Sequence, residues 1–389
     1  MKNHAVPIVV YCWASTIKQT KLLRSLRESL TAIKSWATVE TRTGCVVRTQ
    51  TSPLLRYASR RHVSIEHPSM SEQHFDIRRL ERYDSTTSEY RLAIITDEDH
   101  ASQIEQDDGR IAWQSTLRHD RLHRQTDPQT GRPRYRFEDI PEAEGGEFQL
   151  LSLIAEGGRG AEFSELVMFG KRLVTFDDRT GLVCEIRDQN QLVPRNILMT
   201  GSGDEAFKGF KSEWATLWND QLVVGSHGKS PAEEWVKMLG RNYGVRSVNW
   251  ADRYQRIRDA LGVGPDGYVI HEAAEWHPYR REWLFFPRKI SSTPFDQAID
   301  ERERGANQLI IANEDFSQIR VLEVGKRIPN RGISSFKILP GHADECIGLK
   351  SVEIDGRTES YLFCFNLDGE VLLEDIFIGD YKCEGLEIL

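Results

Sequence analysis

The chain has 389 residues, of which 39% are hydrophobic and 28% charged, and its formal net charge is -8. That length could hold two average domains, and the acidic balance argues against nucleic acid as the main partner, because phosphate backbones attract basic surfaces. The charge is unevenly spread. Residues 1–90 carry 14 Lys and Arg against 8 Asp and Glu, so the acidic character belongs to the remainder of the chain.

The first segment of the chain has the pattern of a targeting sequence. Lys2 precedes an apolar run over residues 5–14, which is typical of a short signal peptide or signal anchor and too short to span a bilayer. Residues 15–89 are basic, and leucines at helical spacing predict one amphipathic helix followed by a poorly ordered tail. An organelle-targeting segment is the alternative. We expect residues 1–89 to be a basic N-terminal segment and the protein to be secreted or to reside in the ER or Golgi lumen.

Beyond this segment, a polar residue followed by an apolar strand recurs five times, and in the first four units a turn and a second strand follow. The polar residues that open these units are Ser164, Glu213, Glu272, Ser334 and Glu384. The intervals between them run from 49 to 62 residues, the range of propeller blades or solenoid turns. Five units composed mostly of strand predict an all-β fold, a five-bladed β-propeller over residues 90–389.

The repeat gives its five polar residues a common position. In a propeller, equivalent residues of successive blades face the central axis, so three glutamates and two serines would converge there. Carboxylates that converge in a buried site repel one another unless a cation lies between them. An all-oxygen donor set suits a hard cation, and calcium tolerates irregular geometry better than magnesium. The pattern therefore predicts a calcium (Ca2+) site in a channel on the axis of the propeller.

The fifth unit has no second strand after Glu384, so its partner has to come from earlier in the chain. The first strong strand signal is YRLAIITDED at residues 90–99, and we expect strand 90–97 to pair with residues 384–389 and close the ring. Counting along the second strands places Asp97 level with residues 177–178, 225–227, 287–288 and 350–351. These stretches would form a ring of acidic and basic groups at one mouth of the channel.

Eight stretches of the chain carry a resemblance to a known family. They are YRLAIITDED, GGRGAEFSELVMF, VTFDDRTGLV, KGFKSEW, YVIHEAAEW, DERERGANQLI, GISSFKILP and CEGLEIL. In this order they resemble the calcium-activated nucleotidase (apyrase) family of five-bladed propeller enzymes, over about residues 90–389. The resemblance implies calcium-dependent hydrolysis of nucleoside di- and triphosphates, such as UDP, GDP and ADP, to the monophosphate and phosphate.

The resemblance also implies roles for single residues. The family's calcium ligands fall on Ser164, Glu213, Glu272, Ser334 and Glu384, the set that the repeat defines. Its substrate-side positions fall on Asp97, Asp178 and Arg179, with Lys211, Arg288 and Lys350 beside them. We expect Asp97 and Asp178 to be catalytic and the four cationic side chains to bind substrate. Because a neutral hydroxyl is a weak ligand, the two serines are expected to bind calcium through their backbone carbonyls. Homodimers occur in the family.

Several features have a second explanation. The DDRTG stretch at residues 177–181 would also make an ordinary hairpin turn. Residues 249–263 predict one helix, in which Trp250 could stack on a base or belong to the core. The six cysteines lack metal-site spacing, so buried free thiols are expected, with a Cys346–Cys364 bridge as the alternative. The propeller could also be a calcium-stabilised binding module without activity, or a lactonase-like hydrolase, because the fold supports either.

Overall fold

The computed structural model describes residues 89–204 and 207–389, most of them in strands. The targeting sequence, the amphipathic helix, the tail, Cys12 and Cys45 lie outside the described residues. What is described belongs to one unit of the chain, Pro68–Leu389. In the described part, helices long and apolar enough to cross a membrane are absent.

The strands form the five blades of a β-propeller and one additional two-stranded ribbon. The first blade contains β1 (Glu89–Thr96), β2 (Gln103–Glu105), β3 (Ile111–Thr126), β4 (Pro133–Glu138) and β5 (Glu147–Ser152). The second contains β6 (Phe163–Phe169), β7 (Arg172–Asp177), β8 (Leu182–Arg187) and β9 (Gln191–Ile197). The third contains β10 (Trp214–Trp218), β11 (Gln221–Gly225), β12 (Trp235–Leu239) and β13 (Val245–Asn249).

Two helices and the ribbon interrupt the second half of the propeller. Helix α1 (Ala251–Ala260) follows β13, and the ribbon pairs β14 (Tyr268–Ile270) with β17 (Lys289–Ser291). The fourth blade contains β15 (Ala274–His277), β16 (Glu282–Phe285), β18 (Gln308–Asn313) and β19 (Ile319–Glu323), with α2 (Gln297–Glu303) before β18. The fifth contains β20 (Gly332–Leu339), β21 (His342–Ile354), β22 (Arg357–Asn366) and β23 (Val371–Gly379). The last strand is β24 (Cys383–Ile388), and 3-10 turns lie at Asp99–Ser102 and Glu142–Glu144.

The last strand completes the first blade. β24 pairs antiparallel with β1, so that Leu92 lies opposite Ile388 and Ile95 opposite Gly385, and β1 pairs on its other side with β3. The innermost strands β24, β6, β10, β15 and β20 contact one another in a closed circle. The predicted all-β five-bladed propeller, closed by its two ends, is therefore confirmed.

Apolar side chains fill the spaces between neighbouring blades. Between the third and fourth blades, the Trp250 and Trp283 rings lie edge to face with centroids 5.0 Å apart. Trp250, Tyr254 and Ile257 are buried on one face of the helix region, which confirms the predicted helix and its packing stripe. Trp250 is 3% exposed, so it belongs to the core and is not available to stack on a base.

The cysteines that the structure describes are buried free thiols, as predicted. They are Cys184, Cys346, Cys364 and Cys383. Cys346 lies opposite Phe365 and Ile347 opposite Cys364, so the two cysteines lie on adjacent strands but are not paired in the ladder. The alternative of a bridge between them is wrong.

Gly225 ends β11 where the backbone passes the buried ring of Trp214. A Cβ added at Gly225 would lie 2.0 Å from Trp214 Cε2 and Cζ2, and the ring cannot retreat because it packs on Phe285 and Trp250. We expect Gly225→Ala to lower the free energy of unfolding by about 1–3 kcal/mol, measured by urea denaturation. Gly264→Ala is the control, since an added Cβ there meets no described atom within 4 Å; equal stability of the two variants would contradict the account.

Candidate active site

The five predicted ligand positions lie at or just before the starts of the innermost strands. Ser164, Ser334 and Glu384 are early residues of β6, β20 and β24, while Glu213 and Glu272 lie just before β10 and β15. All five are buried, with exposures of 7% or less. The blade repeat thus delivers three carboxylates and two serines to one end of the innermost strands, as the sequence pattern predicts.

Both serine hydroxyls are engaged with the backbone of a neighbouring blade. Ser164 Oγ donates a hydrogen bond to the carbonyl oxygen of Ser212, which directly precedes Glu213. Ser334 Oγ donates to the carbonyl oxygen of Cys383, which directly precedes Glu384, at 2.8 Å. Each serine therefore holds the backbone directly before a glutamate, and so positions that glutamate relative to the neighbouring blade.

A chain of ion pairs and hydrogen bonds starts at Asp178, in the turn between β7 and β8. Lys211 pairs with Asp178, and its Nζ lies 2.6 Å from Glu213 Oε1. His227 Nε2 lies 3.1 Å from a carboxylate oxygen of Glu213 and 3.1 Å from one of Glu272. Because His227 stands just after β11, the second strand of the third blade contributes the group that bridges the two glutamates.

Arg288 continues this chain into the fourth and fifth blades. Its guanidinium pairs with Glu272, and Nη1 lies 3.0 Å from Glu384 Oε1. Nη2 lies 2.6 Å from Glu353 Oε2. Arg288 is 3% exposed, so one buried guanidinium joins carboxylates from the fourth, fifth and first blades.

Lys382 ends the chain of ion pairs next to Asp97. Its Nζ lies 2.9 Å from Glu384 Oε1, 2.7 Å from Asp97 Oδ2 and 3.3 Å from Glu353 Oε1. Asp97 follows β1 directly, and its other oxygen accepts a hydrogen bond from the backbone N–H of Asp99 at 2.9 Å. We call the groups from Asp178 through Lys382 to Asp97 the charged ring.

Burial sets the electrostatics of the charged ring. Burial raises the pKa of Glu213 to about 8 and that of Glu384 above its usual range, because their ionised forms lose hydration. Burial acts on Glu272 in the same direction, but Arg288 and His227 together hold its pKa below the usual range. The pKa of His227 falls to about 3 through burial, so its imidazole is neutral near pH 7.

Two groups of side chains, one within the charged ring and one around Asp97 at its end, could hold a metal ion. The ligand atoms of Glu213, His227 and Glu272 lie within 4.8 Å of one another, and so do those of Asp97, Asp99 and Glu162. The donor set is almost entirely oxygen, which fits a hard divalent cation. A cation at the first group would also offset the cost of burying the ionised Glu213. The residues present therefore fit such an ion.

Two of the predicted substrate-binding residues lie at the edge of this arrangement. Arg179 is anchored outside the ring, where its Nη2 lies 2.5 Å from Glu156 Oε2. Lys350 points away from the ring: its Nζ lies 2.6 Å from Asp375 in β23 and over the ring of Phe363. The structure thus joins Lys211 and Arg288 to the carboxylates, and it does not join Lys350 to them.

Several residues of the site were not predicted from the sequence. They are Lys382, Glu353, Asp99, Arg159 and Glu162, whereas His227 belongs to the stretch 225–227 that was predicted to join the ring. Arg159 binds Glu162 through two contacts of 2.6 Å and also lies 2.6 Å from Asp99. Two signals were present: Lys382 precedes Glu384 by two residues, the spacing at which strand side chains share a face, and Arg159 and Glu162 lie within GGRGAEF.

The fold and the charged ring define a five-bladed β-propeller with a candidate metal-dependent active site where its innermost strands begin. The apyrase family profile matches residues 98–389. The chain is 36% identical over 320 residues to soluble calcium-activated nucleotidase 1 of Rattus norvegicus, covering 77% of this chain and 74% of that protein. It is 41% identical over 257 residues to the apyrase of Cimex lectularius, covering 63% and 70%. Apyrase apy-1 of Caenorhabditis elegans is 35% identical over 327 residues, covering 80% and 88%.

This chain belongs to the apyrase family. It is therefore an enzyme of the nucleotide phosphatase class, as the resemblance of its eight stretches implies.

Proposed function

We propose that this protein hydrolyses nucleoside di- and triphosphates, such as UDP, GDP and ADP, to the monophosphate and phosphate, with Ca2+ as its cofactor. The observation that carries the proposal is the charged ring, in which buried carboxylates from separate blades alternate with Lys211, Arg288 and Lys382. A polyanionic substrate meets fixed cations there. The relatives named calcium-activated nucleotidase support the choice of cofactor.

Calcium would be held by the carboxylates of Glu213, Glu272 and Glu384 and by the backbone carbonyls of Ser164 and Ser334. The serine hydroxyls already donate to neighbouring carbonyls, which supports binding through their backbone oxygens. When bound, the ion supplies positive charge that neutralises phosphate oxygens and stabilises the charge that develops on them.

The cationic side chains would hold the phosphates. Lys211 has a side chain that is 36% exposed, so its ammonium can turn from Asp178 to a phosphate oxygen. Arg288, buried and held by Glu272 and Glu353, would supply fixed positive charge behind the phosphates. Arg179, at the rim, would exchange its contact with Glu156 for one with the substrate. A bidentate guanidinium suits phosphate geometry.

Asp178 and Asp97 would orient the attacking water and accept its proton. Asp178 Oδ1 is buried and has no hydrogen-bond partner among the described residues, so it is the acceptor that is free for a water molecule. Both oxygens of Asp97 are engaged, by Lys382 and by the backbone of Asp99. We assign Asp178 as the better placed base and Asp97 as the second catalytic carboxylate.

Two further expectations accompany this proposal. The apolar run over residues 5–14 supports secretion or residence in the ER or Golgi lumen, where calcium and nucleotides can meet the enzyme. A homodimer stays a prediction from the family resemblance.

The test of the proposed function is phosphate release by the purified protein from UDP, GDP, ADP, ATP and AMP. Each nucleotide is incubated with millimolar calcium, with magnesium alone and with a chelator. We expect release from the di- and triphosphates only when calcium is present, and none from AMP. If no nucleotide releases phosphate while calcium still raises the melting temperature, the protein is a calcium-stabilised binding module instead.

A further inference from the structure

The ribbon of β14 and β17 lies outside the five blades and leads away from the charged ring. At one end, the Arg288 N–H donates to the Ile270 carbonyl at 2.9 Å, and Glu272 follows β14 by two residues. At the other end, Tyr268 pairs with Ser291. Glu272 lies four positions after Tyr268 in the sequence, a span of at most about 13 Å. The ribbon therefore leads from the ring to a second surface at its outer end.

Phe295 lies at that outer end of the ribbon with its ring open to solvent. It is 55% exposed, and its ring centroid is 5.7 Å from that of Tyr268 in an edge-to-face arrangement. The Nζ of Lys229 lies 5.3 Å from the Phe295 centroid. Tyr268 is fixed because its hydroxyl donates to Asp300 in α2 at 2.5 Å. Phe295 thus rests on a rigid support.

A cavity of about 440 Å³ is lined by Tyr268 and Lys229, the two side chains that contact Phe295, and its volume is in the range of small-molecule sites. Its walls include Val263, Pro265 and Tyr268 together with the charged residues Lys229, Glu234, Arg258 and Asp259. Its edge begins at Gly228, directly after His227 of the charged ring. The apolar and aromatic walls suit the face of a nucleobase, and the charged walls can hydrogen-bond the hydroxyls of a ribose.

The larger cavity at the mouth has a different character. It measures about 840 Å³ and is lined by Asp97, Asp99, Arg159, Glu353 and Lys382. Its charged groups belong to the ring and its surroundings, where phosphate and metal would lie. The nucleoside end of a substrate needs an aromatic surface on which a base can stack. Trp250, the candidate for this role in the sequence, is buried.

We propose that Phe295 stacks on the nucleobase of the substrate and that the nucleoside occupies the cavity of about 440 Å³ beside it. The phosphates then extend along the ribbon to Arg288 and Lys211. Stacking recognises the face of any base, so one aromatic residue serves purine and pyrimidine nucleotides alike. The inference rests on the proposed function and adds a nucleoside subsite to the phosphate subsite described there.

The test compares the wild type with Phe295→Ala, Phe295→Trp and Tyr279→Ala. Tyr279 is the matched control, because it is 48% exposed and lies in the turn between β15 and β16, at the opposite end of the fourth blade from the ring. We expect Phe295→Ala to raise KM for UDP, GDP and ADP about tenfold. Since stacking is made equally before and during the reaction, kcat should stay within about twofold. Phe295→Trp should keep the wild-type KM.

Calorimetry of UDP binding in the presence of calcium provides a readout that does not need turnover. Phe295→Ala should weaken binding about tenfold, and Tyr279→Ala should not weaken it. The inference is overturned if Phe295→Ala leaves both KM and UDP binding unchanged, or if Tyr279→Ala has the same effect. If the wild type binds UDP but releases no phosphate, the proposed function is wrong. The UDP affinities of the wild type and Phe295→Ala would then still test whether Phe295 contacts the base.

Discussion

Replacing Asp178 by asparagine is expected to lower kcat for nucleoside diphosphates by about 100-fold or more, the usual contribution of a positioned base. Asn keeps the size of the side chain and can still accept a hydrogen bond from Lys211, but it cannot take a proton from water. Asp178 lies in a turn and is not part of an apolar cluster, so the melting temperature should change little. Steady-state kinetics with UDP and a thermal melt measure both effects.

A matched control for Asp178→Asn lies in the same blade. Asp188 occupies the exposed turn between β8 and β9, at the end away from the charged ring, with a positive φ of 46° that asparagine tolerates. Asp188→Asn should therefore keep wild-type kcat. Asp97→Asn is expected to lower kcat as Asp178→Asn does. An Asp178→Asn enzyme with most of its activity would contradict the assignment of Asp178 as base.

Replacing Glu213 by glutamine is expected to weaken calcium binding at least about tenfold, because calcium affinity follows the number of charged ligands. A ligand that binds only the folded state stabilises it by about 2.7 kcal/mol at a concentration 100 times its Kd. The wild type should therefore melt at a higher temperature with calcium than with chelator, and Glu213→Gln should lose most of that difference. Calorimetric titration with calcium and thermal melts provide the two measurements.

Glu185 offers a control for the loss of a buried carboxylate. It lies in β8, is 5% exposed, and pairs with Arg187 and Arg195 away from the ring. Glu185→Gln should lower stability but retain the calcium-induced rise in melting temperature. If Glu185→Gln and Glu213→Gln lost that rise equally, calcium would not be bound by the ring.

The fold could be predicted because the signal is repeated. Each blade begins with one polar residue before an apolar strand, so five independent copies point to the same position, and the missing partner of Glu384 required a strand near residue 90. A sequence repeat can predict only the residues that occupy equivalent positions in all blades. It predicted the glutamates and serines, which occupy equivalent positions of the innermost strands, and their common burial followed from that equivalence.

The cationic part of the site was harder to predict because it does not repeat. Lys382 occurs in one blade only, and its role appears when neighbouring blades bring carboxylates to it. Lys350 was placed by counting along β21, but it lies opposite Ile333, so its side chain shares the face of Ile333 and not that of Ser334. The ladder also shifts register between Ile333 and Ser335, which strand counting cannot foresee.

The most direct test of the calcium-dependent site is a crystal structure of the protein grown with calcium and a non-hydrolysable nucleoside diphosphate. We predict one calcium on the channel axis, with oxygens of Glu213, Glu272 and Glu384 at about 2.3–2.6 Å. The terminal phosphate should lie between this ion and Asp178. An axis without calcium, or a nucleotide bound away from the charged ring, would contradict the account.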